Sequence, residues 1–117
     1  MEELNIFDYD KLLENYYNEE KIINEVLMIF TNTVRSQLEE LKVIMASEPI
    51  DIGKIRFIAH SIKGSAHNLT CMKLGDIAFD VQKACDEENT ELIKQLLTVI
   101  LPVFKETYEK IQRYLSI

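Results

Sequence analysis

Residues 55–69 read IRFIAHSIKGSAHNL, and apolar side chains recur in this stretch every three or four residues. Because each residue of an α-helix turns the chain by about 100°, Ile55, Ile58 and Ile62 fall on one face. His60 points roughly 160° away from Ile58 and Ile62, on the side opposite the apolar face. The stretch therefore predicts an amphipathic helix that buries its isoleucines and displays a histidine to solvent.

The same periodicity continues in both directions and predicts helices over residues 8–17, 19–46, 51–68, 71–86 and 89–116. Asp8, Asn18, Asp51 and Thr70 are suitable N-caps for the first four, and the Ser47-Glu48-Pro49 and Asp86–Asn89 segments are breaks. The pattern predicts a single domain over residues 1–117. Its fold class is all-α, an antiparallel up-down four-helix bundle with a short additional N-terminal helix. Pro102 lies inside the last predicted helix and is expected to kink or split it.

The positions predicted to face the core share this helical spacing. They are Leu12, Leu13, Tyr16, Ile23, Val26, Leu27, Phe30, Val34, Leu38, Leu41, Met45, Ile55, Ile58, Ile62, Ala66, Leu69, Leu74, Ile77, Ala78, Val81, Cys85, Leu92, Leu96, Ile100, Val103, Ile111 and Leu115.

Composition excludes several functions. A net charge of −7 argues against a nucleic-acid ligand, which requires a basic surface. No apolar run approaches the roughly 18 to 20 residues needed to span a bilayer, and the acidic N-terminus does not resemble a secretory signal, so a cytoplasmic location is expected. Cys71 and Cys85 are too far apart on a helix to be bridged and are predicted to be reduced packing residues. No ligand spacing predicts a metal site.

The helical wheel surrounds His60 with residues suited to an anion. Arg56, Lys63, Gly64 and His67 lie within about 60° of it. Lys63 is placed to hold an anion attached to the imidazole. Gly64 costs about 1 kcal/mol relative to Ala inside a helix, and its lack of a side chain clears space beside His60 for a group or a partner. The result is a locally basic patch on an acidic protein.

The turn near Cys71 supplies a further residue. His60 and Gln82 each lie eleven residues from Cys71, so an antiparallel hairpin brings them to the same height. The Gln82 carbonyl would accept a hydrogen bond from Nδ1–H of His60 and leave Nε2 free as a nucleophile. Phe57 and Phe79 lie off the main apolar stripes, where each would either contact a partner protein or complete the core.

Residues 59–66, AHSIKGSA, closely resemble the hallmark A-H-x-L-K-G-S-A of histidine-containing phosphotransfer (Hpt) domains. The resemblance implies a four-helix bundle whose histidine, here His60, accepts a phosphoryl group on Nε2 from an aspartyl phosphate. It further implies that Lys63 steadies the phosphoryl oxygens, that Gly64 leaves room, and that Gln82 holds the other ring nitrogen. The chain departs from the family pattern at Thr70-Cys71, where Gly-Ala is usual.

The same resemblance defines the expected partners. These are response-regulator receiver domains and a hybrid histidine kinase, with magnesium supplied by the receiver and no cofactor on this chain. The protein is expected to be a monomeric phosphocarrier without kinase activity. The basic and aromatic residues around His60, namely Arg56, Phe57, His67 and Phe79, are the candidate partner contacts.

Two other functions remain open at this level. One alternative is the phosphoacceptor domain of a larger chemotaxis-type histidine kinase, although the chain contains no Gly-rich phosphate loop. It could also be a helical adaptor that is never phosphorylated, although the joint presence of His60, Lys63 and Gly64 argues against this. A di-metal bundle enzyme is excluded because Phe57 and Gly64 stand where Glu-x-x-His pairs would need glutamate.

Overall fold

The computed structural model describes residues 2–115, and within this range every regular element is an α-helix. The helices are α1 (Glu2–Ile6), α2 (Tyr9–Asn15), α3 (Glu20–Met45), α4 (Ile52–Asn68), α5 (Met72–Asp86) and α6 (Thr90–Leu115). Helices α3 to α6 form the predicted antiparallel bundle, in which α4 and α5 pack against each other as a hairpin. The all-α prediction is confirmed.

The N-terminus differs from the prediction in one respect: α2 lies within the helix predicted over residues 8–17, but α1 precedes it and was not predicted. A break at Phe7 and Asp8 separates α1 from α2, and the Asp8 side chain caps α2 by accepting a hydrogen bond from the Lys11 amide at 3.0 Å. A five-residue helix is unstable alone, so α1 depends on tertiary contacts. Ile6 and Phe7 are buried, and Nζ of Lys110 donates to the carbonyl oxygens of Glu3 and Phe7.

Two of the four predicted N-caps are wrong. Asp51 caps α4 as expected, accepting from the Lys54 amide at 3.1 Å. The N-cap residue of α5 is Cys71, whereas Thr70 has a φ of 64° and uses its hydroxyl to bond both the amide and the carbonyl of Asp8. Asn18 likewise has a positive φ, of 61°, and α3 begins after it without a side-chain cap.

The core lies where the helical stripes placed it. Most of the predicted positions are buried, and each large aliphatic side chain that leaves water stabilises the fold by about 1.5–3 kcal/mol. The predicted residues that are only partly buried are Leu13, Tyr16, Val26, Met45, Ile77, Leu92, Leu96 and Leu115. The buried apolar residues that the stripes missed are Ile6, Phe7, Ile44, Ala59, Cys71, Ala84, Ile93 and Phe104.

Helix α6 continues through Pro102, so a split at this residue is wrong. Proline has no N–H, and the carbonyl of Thr98 one turn earlier therefore lacks its usual donor. Both Pro102 and Thr98 are exposed, so water can satisfy that carbonyl. The position of Pro102 on the solvent side lets the helix tolerate it.

Candidate functional site

His60 lies on the exposed side of α4 and contacts α5 through one ring nitrogen. Its Nδ1 is 3.2 Å from Oε1 of Gln82, whose side chain is buried between the helices. Because an amide oxygen only accepts hydrogen bonds, this contact requires the proton to be on Nδ1. In the neutral ring the lone pair is then on Nε2, and the residue is exposed. The contact predicted from the hairpin is therefore present, and it favours the Nδ1–H tautomer of the exposed imidazole.

Gly64, one turn after His60, adjoins open space. Within residues 2–115, a Cβ added to this glycine would meet no atom within 4 Å apart from the backbone of its own helix, and its φ is not positive. Neither packing nor backbone conformation within the chain therefore requires glycine here, although glycine weakens a helix by about 1 kcal/mol relative to Ala. The empty space beside His60 is available to a group that comes from outside the chain.

Lys63 and Phe79 lie at the same height in the α4–α5 hairpin, one turn closer to Cys71 than His60 and Gln82. Each is eight residues from Cys71. Nζ of Lys63 lies 5.3 Å from the centroid of the Phe79 ring, which is a cation–π contact. Nζ of Lys83 lies 5.6 Å from the same centroid. Lys83 was not among the residues predicted from the sequence, although its position one turn after Phe79 and next to Gln82 could have identified it.

Arg56 lies one turn before His60 and is paired across the hairpin. Its Nε donates to Oδ1 of Asp86 at 2.5 Å, and this hydrogen bond raises the pKa of the guanidinium above its ordinary value. The pairing places a carboxylate against Arg56, so the basic patch around His60 depends on lysines more than the sequence predicted.

The structure does not bring His67 to His60. The two are seven residues apart, or about 10 Å along the helix axis. Nε2 of His67 lies 2.9 Å from Oδ1 of Asp76, and its ring covers Gly75, where an added Cβ would overlap the imidazole. His67 therefore packs against α5, and the role predicted for it as a partner contact remains a prediction.

Phe57 and Phe79 do not complete the core. The side chain of Phe57 is 74% exposed and that of Phe79 is 42% exposed. Of the two alternatives that the sequence left open, the structure favours an exposed apolar surface on both helices flanking His60. Single exposed apolar residues are common, but two phenylalanines beside a displayed histidine form a surface suited to contact another protein.

Other possible sites are accounted for. Cys71 and Cys85 are free and buried, and burial raises the pKa of their thiols to about 12 and about 11 respectively, so both remain protonated packing residues. Within residues 2–115, no three His, Cys, Asp or Glu side chains are grouped as metal ligands. In the same range, no helix is both long enough and apolar enough to cross a bilayer.

The sequence matches a known family, and the fold is similar to a solved structure. A family model of the Hpt domain matches residues 25–114. The fold is similar to the crystal structure of a histidine-containing phosphotransfer protein from maize, with a TM-score of 0.81 and 20% sequence identity over 93% of this chain and 79% of the maize chain. A search of curated protein sequences finds no match.

Proposed function

Because the chain belongs to the Hpt domain family, whose members carry phosphoryl groups in two-component signalling, we propose that His60 is its phosphoacceptor. The donor is an aspartyl phosphate on a response-regulator receiver domain, and the acceptor in turn is the aspartate of another receiver. One observation carries this proposal: Gln82 holds Nδ1 of the exposed His60, and Gly64, one turn later on α4, adjoins open space.

The transfer needs little from the carrier. The lone pair of Nε2 attacks phosphorus, a P–N bond forms, the P–O bond to the aspartate breaks, and the electron pair leaves with the carboxylate. The imidazole gains positive charge as it is phosphorylated, and Oε1 of Gln82 stabilises that charge through Nδ1–H. No general base is required, because the attacking nitrogen carries no proton.

Two further residues act on the phosphoryl group in this proposal. The ammonium of Lys63 neutralises charge on the phosphoryl oxygens, and Gly64 leaves the approach open for the receiver. The receiver supplies its own magnesium ion and most of the catalytic groups. In this scheme the chain is a phosphocarrier without kinase activity of its own.

The cellular role follows from the same chemistry. We place the carrier in the cytoplasm, where it exchanges phosphoryl groups with the receiver of a hybrid histidine kinase and then with a separate response regulator. Such partners bind in turn at one surface, so each complex is transient and the carrier acts as a monomer. Phe57 and Phe79, exposed on either side of His60, are the apolar contacts that these receivers share.

The test uses a purified receiver domain labelled with radioactive phosphate on its aspartate. We expect the wild-type chain to acquire label that is lost in acid and retained in base, as a phosphoramidate should be. His60→Gln should acquire none, a decrease of at least about 10³-fold, because glutamine has no nucleophilic nitrogen.

His67→Gln is the matched control, since His60 and His67 are the two histidines of the chain. This variant should still acquire acid-labile label. Circular dichroism should show the same helicity in both variants, because His60 is exposed and His67 is partly exposed. Undiminished labelling of the His60 variant would show that the phosphoacceptor is another residue.

A further inference from the structure

The ring of Phe79 is contacted by two ammonium groups. Nζ of Lys63 reaches it from α4 at 5.3 Å from the ring centroid, and Nζ of Lys83 reaches it from the next turn of α5 at 5.6 Å. Both distances are within the roughly 6 Å over which a cation is attracted to the face of an aromatic ring. Phe79 thus connects two lysines that belong to different helices.

This cluster lies next to the proposed phosphoacceptor. Lys63 follows His60 by three residues on α4, and Phe79 precedes Gln82 by three residues on α5. The Lys63–Phe79 contact is therefore one helical turn, about 5 Å, from the contact between His60 and Gln82. We define Lys63, Phe79 and Lys83 as the lysine–phenylalanine cluster.

The cluster reduces the conformational entropy that its lysine side chains lose when they bind a phosphoryl group. A free lysine side chain loses conformational freedom when it is fixed on a ligand. A cation–π contact restricts the ammonium beforehand and reduces that loss. The two ammonium groups around one ring also repel each other, and a phosphoryl group with nearly two negative charges relieves this repulsion.

We infer that Phe79 is a positioning residue of the phosphoryl site, an inference that rests on the proposed function. Its ring holds the ammonium groups of Lys63 and Lys83 where both can meet a phosphoryl group on Nε2 of His60. This role differs from that of an apolar contact for the receiver, because positioning of the lysines influences the chemistry of His60 even when no receiver is present.

The experiment therefore uses a small phosphodonor, phosphoramidate. Nε2 of His60 attacks its phosphorus, the P–N bond of phosphoramidate breaks, and ammonia leaves. We expect Phe79→Leu to slow loading about threefold and to change the hydrolysis half-life of the isolated phosphoprotein by a similar factor. Phe79→Tyr, which keeps the aromatic face, should stay within about twofold of the wild type in both measurements.

Lysine variants supply the second measurement and the control. Lys83→Met should slow loading from phosphoramidate, and its effect should shrink when Phe79 is already leucine, since the two residues act together. Lys94→Met removes an exposed lysine of α6, outside the cluster, and should leave loading unchanged. Circular dichroism establishes that each variant is folded.

The outcomes separate this inference from the proposed function. If Phe79→Leu is loaded by phosphoramidate and hydrolyses as the wild type does, the inference is overturned. If that variant is impaired only when a receiver is the donor, Phe79 is a docking contact and the inference is again overturned. Neither result bears on the proposed role of His60, which the His60→Gln variant tests separately.

Discussion

The two histidines of this chain lie on the same face of α4, and each directs one ring nitrogen at α5. His60 uses Nδ1, which bonds a neutral amide of Gln82, and its Nε2 takes no part in this contact. His67 uses Nε2 itself, which lies 2.9 Å from a carboxylate oxygen of Asp76. The nitrogen that is free on His60 is therefore occupied on His67. Under the proposed function, exposure alone does not distinguish the phosphoacceptor from His67; the choice of bonded nitrogen does.

A glycine accompanies each histidine, and the two glycines also differ. Gly64 beside His60 adjoins empty space, whereas Gly75 opposite His67 is covered by the imidazole ring. One glycine keeps a volume open for something outside the chain, and the other lets two helices and a side chain pack closely. No packing contact among the described residues requires the first glycine, and we therefore expect it to have a functional role.

Of the substitutions that test this comparison, one that fills the space beside His60 should have the largest effect on phosphoryl transfer. We expect Gly64→Leu to reduce phosphoryl transfer from a receiver by about 10²-fold, because a side chain there displaces the incoming phosphoryl group by an ångström or more. The fold should not suffer, since no neighbouring atom is within 4 Å of the new Cβ. Gly64→Ala should even raise the free energy of unfolding by up to about 1 kcal/mol.

Urea unfolding measures the free energy of unfolding, and stopped transfer assays measure the rate of phosphoryl transfer. Both use the same preparations. A Gly64→Leu protein that transfers as fast as the wild type would contradict the functional reading of this glycine. A Gly64→Leu protein that unfolds more easily would instead indicate a packing role.

Removing the partner of Nδ1 should have a smaller effect. Gln82→Leu keeps a buried side chain of similar size but offers no acceptor, so His60 loses a hydrogen bond of about 0.5–1.5 kcal/mol. Transfer should slow by about three- to tenfold, because a larger fraction of the imidazole then carries its proton on Nε2. Nitrogen NMR of the histidine ring would show the shift from the Nδ1–H to the Nε2–H tautomer. An unchanged tautomer ratio would contradict the role given to Gln82.

The contact between His60 and Gln82 was predictable, because it depends only on distance along two helices from Cys71. The same symmetry holds for Arg56 with Asp86 and could have revealed that ion pair. Side-chain rotamers decide the remaining contacts. Nothing in the spacing indicates that the ammonium groups of Lys63 and Lys83 both turn toward Phe79.

The bundle was predictable for a similar reason, since helices of 15 to 26 residues carry enough apolar positions to define a stripe. Helix α1 has only five residues and shows no period. It is stabilised by burial of Ile6 and by hydrogen bonds from Lys110, more than 100 residues away in sequence. Such long-range contacts leave no local pattern, which is why α1 was missed.

The smallest expected effect tests the packed histidine. Gly75→Ala places a Cβ where the His67 ring lies, so the ring must move and its contact with Asp76 is lost. Overpacking of this kind costs about 1–3 kcal/mol, and replacing a helical glycine by alanine returns about 1 kcal/mol. We therefore expect a net loss of about 1 kcal/mol in the free energy of unfolding. Combined with His67→Ala, the same Gly75→Ala substitution should become stabilising, because no ring remains to be displaced. Thermal unfolding of the four proteins in this cycle measures both effects. If Gly75→Ala is destabilising to the same extent with and without the imidazole, the ring of His67 is not what requires glycine at this position.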